Sequence, residues 1–302
     1  MWIEGLQEYN KFAWQHKGDT MSLKKVLLDE MGFSIRGIVA LKREDAIRIN
    51  GKKKLGPKDI KDMDIIQIEL KEDPSEFIPI DLNLHIVYED FDMLVINKNP
   101  GIVVHPTKGT QGVTLAEGIN FHFKENNVNS KIRFVNRLDM DTSGLMIVAK
   151  NSYTHNYFAE KMSMDEIDKC YMALCKGRFK EKKGILNFPI YKNEGEMARV
   201  VDDRGQNAIT HFEVIKTFGG DINLVKLRLE TGRTHQIRVH LSHIGCPILG
   251  DELYGGDMSL IKRQALHCYK LRFKSPRKEN EDKLEIDLPH DMKDCIKRIE
   301  GL

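Results

Sequence analysis

The run Arg133–Asn151, RFVNRLDMDTSGLMIVAKN, carries Arg137, Asp139 and Asp141 between apolar flanks. A carboxylate taken into apolar surroundings must be paired or protonated, because burying an unpaired charge is costly. In extended chain, residues two apart point the same way, so the spacing predicts that all three side chains share one face. Three chemistries fit. In the first, Arg137 and Asp139 pair at a strand end and Thr142-Ser143-Gly144 is a turn; from spacing alone this structural reading stands first. In the second, Asp139 and Asp141 are the two carboxylates of a glycosidase, which needs a separation that neighbours in one turn seldom reach. In the third, a single carboxylate kept ionised by an arginine is a nucleophile.

A second charged run, ETGRTHQIRVH (Glu230–His240), begins a segment with helical spacing. His235, Arg238 and Ser242 lie three and four apart, opposite Ile237, Leu241 and Ile244, and the ordinary meaning of such a pattern is a solvated helix face. His235, His240 and His243 raise the question of a metal. There is no HExxH, and the spacing does not gather all three on one face, so zinc is set aside.

The elements that must position these residues follow from periodicity. Leu23, Val26, Leu27 and Met31 have helical spacing, and a second helix is expected over SIRGIVALKRED. Two short strands around Asn50-Gly51 follow, closed by the alternating run that ends at Leu70. The charged, proline-bearing segment KEDPSEFIPIDLN places a linker at residues 72–82, leaving residues 1–20 as an N-terminal extension. Beyond it, strands are expected at LHIVYED, FDMLVINKNPG, KCYMALCKG, AITHFEVIKTF, INLVKLRLE, ALHCYKLRF and LEIDL. Helices are expected at TLAEGINFHFKEN, where Thr114 and Glu117 have capping-box spacing, at SYTHNYFAEKM, at RTHQIRVHLSHIG and at DMKDCIKRI. Many strands with interspersed helices predict an α+β protein with a large, mixed, mainly antiparallel sheet.

The 302 residues exceed one ordinary core and fit two domains; 41% hydrophobic and 30% charged residues describe a globular protein. No apolar run approaches a membrane span, and the first residues lack the basic start and apolar block of a signal peptide. Five cysteines without a CxxC pair argue against disulfide or zinc frameworks and for a reducing cytoplasm. The net charge is only +2, but GKKKLGPK, KGRFKEKK and YKLRFKSPRK are strongly basic. Such runs are usually solvated faces, and they become phosphate tracks only if something else points to phosphate.

Taken together, NRLDMDTSGLMIVAKN, KCYMALCKG, GRTHQIRVHLSHIGCPILGDELYG and RQALHCYKLRF, in that order and preceded by IVYEDFDMLVINKNPGIVVHP, resemble the RluA-like branch of the pseudouridine synthases over roughly residues 84–290. The resemblance implies a pseudouridine synthase fold over residues 83–302 and no cofactor. It implies Asp139 as nucleophile, Arg238 as its ion-pair partner, and Tyr171 packing on the target base and assisting proton removal at C5. It also implies substrate contacts from Asn136, Arg137, Arg233, His235 and Leu266, with Arg137 holding the flipped-out RNA and Leu266 lining the pocket floor. Asn136 departs from the histidine that most relatives carry there, and KNPG departs from their KPPG or KPAG. Asp141 is expected to cap the Thr-Ser-Gly turn. Residues 21–71 loosely resemble the alpha-L RNA-binding domain, a small α/β module. The expected partner is RNA, ribosomal before transfer RNA, bound by a monomer; an idle RNA-binding or ribosome-assembly factor is the alternative.

Overall fold

Strand β1 (Lys11–Gln15) comes from the residues expected to be an extension, and it pairs with the last strand of a small antiparallel sheet. The computed structural model describes the chain except Leu55, Pro57, residues 107–111, Glu279 and Leu302; Leu55 and Pro57 of the first basic run thus lie outside the described residues. After β1 come α1 (Leu23–Lys25, running on as a π turn over Val26–Glu30), α2 (Ile35–Arg43), β2 (Ile47–Ile49), β3 (Lys52–Lys53) and β4 (Ile65–Glu69), in sheet order β1-β4-β2-β3. Both helices start at serines, Ser22 and Ser34, whose hydroxyls accept from the amides of Lys25 and Gly37. Asn50 and Gly51 both take positive φ, 50° and 75°, as a tight hairpin turn requires. Leu23, Val26, Leu27, Met31, Ile38 and Leu41 are buried against Phe12, the apolar face that the spacing predicts.

The large sheet and its helices follow: β5 (Ile86–Glu89), β6 (Met93–Lys98), α3 (Leu115–Glu125), β7 (Arg133–Phe134), β8 (Ser143–Ala149), α4 (Ser152–Ser163) and β9 (Asp168–Lys176). Then come β10 (Lys183–Asn187), β11 (Ile209–Thr217), β12 (Ile222–Leu229), α5 (Gln236–His243), β13 (Leu266–Lys274), β14 (Glu281–Glu285) and α6 (His290–Glu300). The ten strands run β10-β11-β12-β9-β13-β8-β6-β5, with β14 beside β13 and β7 beside β8. Pairing is antiparallel except where β8 meets β13 at Ser143–His267 and Gly144–Cys268. Gly144 has φ 119°, and a Cβ there would run into the Cys268 backbone, so this crossing requires glycine. β14 lies upstream of the expected LEIDL, and β10 has too weak an alternation to stand out in the sequence.

Residues 72–82 contain no helix or strand, but they are not free of the large domain. Glu72 accepts from Arg133 at 2.6 Å and from the Ser152 amide at 2.7 Å, and Ile80 N donates to Glu117 O. Asp92 and Arg277 form a second junction with the N-terminal sheet. Their ion pair of 2.8 Å is buried, Arg277 Nη1 donates to Gln7 Oε1 and Lys11 O, and its guanidinium lies 3.9 Å from the Phe12 ring centroid. Tyr153 adds a hydroxyl bond of 2.7 Å to Met31 O.

Candidate active site

Between β7 and β8 the chain leaves the sheet, and residues 135–142 are irregular. Arg137, Asp139 and Asp141 therefore do not share a strand face as the spacing predicts. Asn136 takes over strand bonding here: its Oδ1 accepts from Ile147 N at 2.8 Å and its Nδ2 donates to Leu145 O at 3.3 Å. The turn closes through Thr142 N donating to Asp139 O. From behind, the buried Lys98 donates to Met140 O at 2.6 Å and to Asn99 O, while Gly101 N also reaches Met140 O. The KNPG segment, remote in sequence, is thus the support of this turn. Burial pulls the Lys98 ammonium down to about 8, against the attraction of Asp141 and Asp139. The Asp141 carboxylate caps nothing among the described residues; its contribution is the carbonyl, which accepts from Arg263 at 3.1 Å. Asp139 and Asp141 therefore have different neighbours and do not form a glycosidase pair.

Helix α5 approaches from the other side. His235, just before it, sits in the left-handed region at φ 57°. Gln236 ties the entry down, accepting from Thr231 Oγ1 and Arg233 N and donating to Ile209 O and Thr210 Oγ1. Gln236 through Leu241 are all buried, so the expected solvated face does not exist. Arg238 instead points inward: Nη1 donates to Asp139 Oδ2 at 3.1 Å, and Nε and Nη2 grip the two oxygens of Asp251 at 2.7 and 2.8 Å. Burial works against its charge, but bonding to Asp251 and Asp139 outweighs that and raises its pKa. The Tyr254 ring lies 4.9 Å from the guanidinium, and its hydroxyl meets His235 Nδ1 at 2.9 Å. Burial lowers the His235 pKa, favouring neutral imidazole. His240 is spent on Thr210 and Phe188, and no group of three or more metal-ligating side chains occurs among the described residues.

The turn and the helix face each other across a cleft of about 440 Å³. All eight residues singled out from the sequence line it: Asn136, Arg137, Asp139, Tyr171, Arg233, His235, Arg238 and Leu266. β9 presents Lys169 and Tyr171, two apart and on one face, as the wall. Burial, with the Cys268 thiol beside it, pushes the Tyr171 hydroxyl well above its usual range, so it stands there as a neutral phenol. Asn136 lines the cleft with its amide engaged by the β8 backbone. Arg137 and Arg233 are exposed at the rim; neither forms an ion pair among the described residues, and Arg233 Nε donates to Asn207 O. Most cations of the two C-terminal basic runs are already paired: Lys176 with Asp257, Arg178 with Asp221, Lys183 with Glu213, Lys270 with Glu285, Arg272 with Asp168, Arg277 with Asp92 and Lys278 with Asp282.

Sequence reasoning missed four residues here. Asp251 and Tyr254 stand inside the quoted GDELYG run, and that place in a motif is the one sequence signal that marks them. Nothing in the sequence sets Lys98 and Lys169 apart from other lysines, yet they are 1% and 3% exposed. Burial also lowers the Lys169 pKa, and among the described residues its ammonium donates only to Ile167 O, at 3.4 Å.

A family profile described as RNA pseudouridylate synthase matches residues 92–243. The uncharacterized RNA pseudouridine synthase YhcT of Bacillus subtilis is 39% identical over 254 residues, covering 83% of this chain and 84% of that protein. The ribosomal large subunit pseudouridine synthase D of Yersinia pestis is 34% identical over 275 residues, covering 85% and 84%. Among solved structures, human RNA pseudouridylate synthase domain containing 4 superposes with a TM-score of 0.60 at 24% identity, over 71% of this chain and 92% of that one, a likeness of fold. The α+β fold with its mixed, mainly antiparallel sheet agrees with that kinship. The chain belongs to the RNA pseudouridylate synthase family and is an RNA pseudouridine synthase, an isomerase.

Proposed function

We propose that this enzyme isomerises uridines of ribosomal RNA, with Asp139 as the nucleophile and Arg238 as its counter-ion. The observation that carries the reading is the 3.1 Å Arg238–Asp139 pair at the face of a cleft whose lining includes Tyr171, Leu229 and Leu266. The reaction breaks the N1–C1′ bond, turns the base and joins C5 to C1′; the C5 proton is lost and N1 gains one. Nothing is oxidised and no group is imported, so the step asks for a nucleophile, a counter-ion and a pocket. The target uridine must leave its stack to be reached, and the cleft is the pocket for it. The aromatic wall at Tyr171 offers a base stacking worth about 1–3 kcal/mol. As a neutral phenol, Tyr171 assists proton removal at C5 by accepting or relaying a hydrogen bond, not as a phenolate. Arg137 and Arg233 at the rim meet RNA phosphates.

The ribosomal target rests on relatives named for the large ribosomal subunit. We take residues 21–71 as an RNA-binding module of the alpha-L kind; Lys52 and Lys58 are exposed there without ion pairs among the described residues. The test is tritium release from ribosomal and transfer RNA carrying C5-tritiated uridine. Wild type is expected to release tritium from ribosomal RNA, and Asp139→Asn to bind the RNA and release none. Equal release by the two proteins refutes the nucleophile; release from transfer RNA alone refutes the target.

A further inference from the structure

Arg238 serves two carboxylates, and it serves them unequally. The Nε/Nη2 edge, the one that makes two parallel bonds, goes to Asp251, while Asp139 receives a single bond from Nη1 to Oδ2. Asp139 Oδ1 accepts no hydrogen bond among the described residues. A nucleophilic carboxylate needs such a free oxygen, and a guanidinium turned edge-on to Asp139 would occupy both.

Asp251 is built to prevent that turn. It is 1% exposed and begins a tight loop, in which its carbonyl accepts from Tyr254 N at 3.1 Å and Gly256 N at 2.8 Å. Gly256 has no room for a Cβ against Ile248 O and the Asp251 amide, so the loop keeps one shape. That loop also delivers the Tyr254 ring to the guanidinium, and Ser242 Oγ, one turn further along α5, donates to Tyr254 O at 3.0 Å. Helix, loop and arginine are thereby locked to one another.

We propose that Asp251 is a positioning residue of the isomerisation: it holds the two-pronged edge of Arg238 so that the nucleophile is paired through one oxygen and free at the other. The proposal rests on Asp139 being the nucleophile. Asp251→Asn keeps the size of the side chain but offers one acceptor oxygen in place of two and sets an amide N–H₂ against an arginine donor. The guanidinium then loses its fixed orientation.

The experiment compares wild type, Asp139→Asn, Asp251→Asn, Arg238→Ala and the double variant Asp251→Asn/Arg238→Ala by C5-tritium release under single-turnover and steady-state conditions. Asp251→Asn is expected to lower kcat by about 100-fold, the scale of an ångström-level misplacement in a reacting site. Its KM for RNA should stay within about twofold, since the residue is too deep to touch RNA. The double variant should be no slower than Arg238→Ala alone, because Asp251 acts only through the arginine. A kcat of Asp251→Asn equal to wild type, or losses that multiply in the double variant, overturns the proposal. Should Asp251→Asn melt early, Asp251→Glu, which keeps the charge facing Arg238 and displaces it by one methylene, carries the comparison on the same kcat and KM readouts. Tritium release that persists in Asp139→Asn removes the nucleophile reading and this proposal with it, whereas an inactive Asp139→Asn beside an active Asp251→Asn removes this proposal alone.

Discussion

Acid should loosen the crossing of β8 and β13 through His267. That imidazole is fully buried next to the pocket residue Leu266, with Nδ1 2.9 Å from Ser143 Oγ and Nε2 without a hydrogen-bond partner among the described residues. Burial, and then the Arg263 guanidinium, pull its pKa from 6.5 down to about 4, against Asp291 and nearby carbonyls. The folded state therefore holds fewer protons than the unfolded state between those values, and stability rises with pH across the window. The contribution is fully present above about 6.5 and is lost as pH falls towards 4. At about 1.4 kcal/mol per tenfold change in proton affinity, the whole effect is about 3 kcal/mol. Between pH 7 and pH 5 the unfolded imidazole becomes almost fully protonated and the native one stays mostly neutral, a loss of about 2 kcal/mol. Urea unfolding of wild type and His267→Asn at both pH values isolates it, because all other groups titrate alike in the two proteins. Asn places an amide where Nδ1 stood; whatever the substitution costs at pH 7, the fall from pH 7 to 5 should be smaller by about 2 kcal/mol than in wild type. Equal falls in the two proteins would show that His267 does not carry the acid sensitivity of this crossing.

Three further substitutions probe other links. Arg277→Met leaves Asp92 buried and unpaired and should lower unfolding stability by about 3–5 kcal/mol; a loss under 1 kcal/mol in urea titration would mean the junction is not held by this pair. Gly144→Ala drives a methyl into the Cys268 backbone at a φ that favours glycine, and should cost more than about 4 kcal/mol; a thermal midpoint unchanged from wild type would refute the close approach. Arg233→Ala should weaken RNA binding and reduce the slope of log affinity against log salt by about 0.7–0.9, the share of one phosphate contact; an unchanged slope would place Arg233 away from the RNA backbone.

Local features were readable from the residues themselves. The helix through Leu23 and Met31, the Asn50-Gly51 turn and the Thr114–Glu117 capping box depend on neighbours within a few positions, and each is present. The motif runs likewise named residues that all line one cleft. Other features had no local signal. β1 and β10 have weak alternation and exist because β4 and β11 lie beside them. The basic runs of the C-terminal half are largely neutralised by acids distant in sequence, which composition does not reveal.

The sequence by itself determined which chemistry-bearing residues the chain has and which short elements carry them, since side-chain type and hydrophobic period are local properties. The motif resemblance already paired Arg238 with Asp139; only the tertiary structure decided that Arg238 is shared with Asp251, and how. Its partners Asp139 and Asp251 lie 99 and 13 residues away, and a helical pattern that reads as a solvated face is buried because the sheet and the Asp251 loop close over it. Hydrogen-bond geometry at such separations depends on where whole elements pack, and no spacing along the chain encodes that.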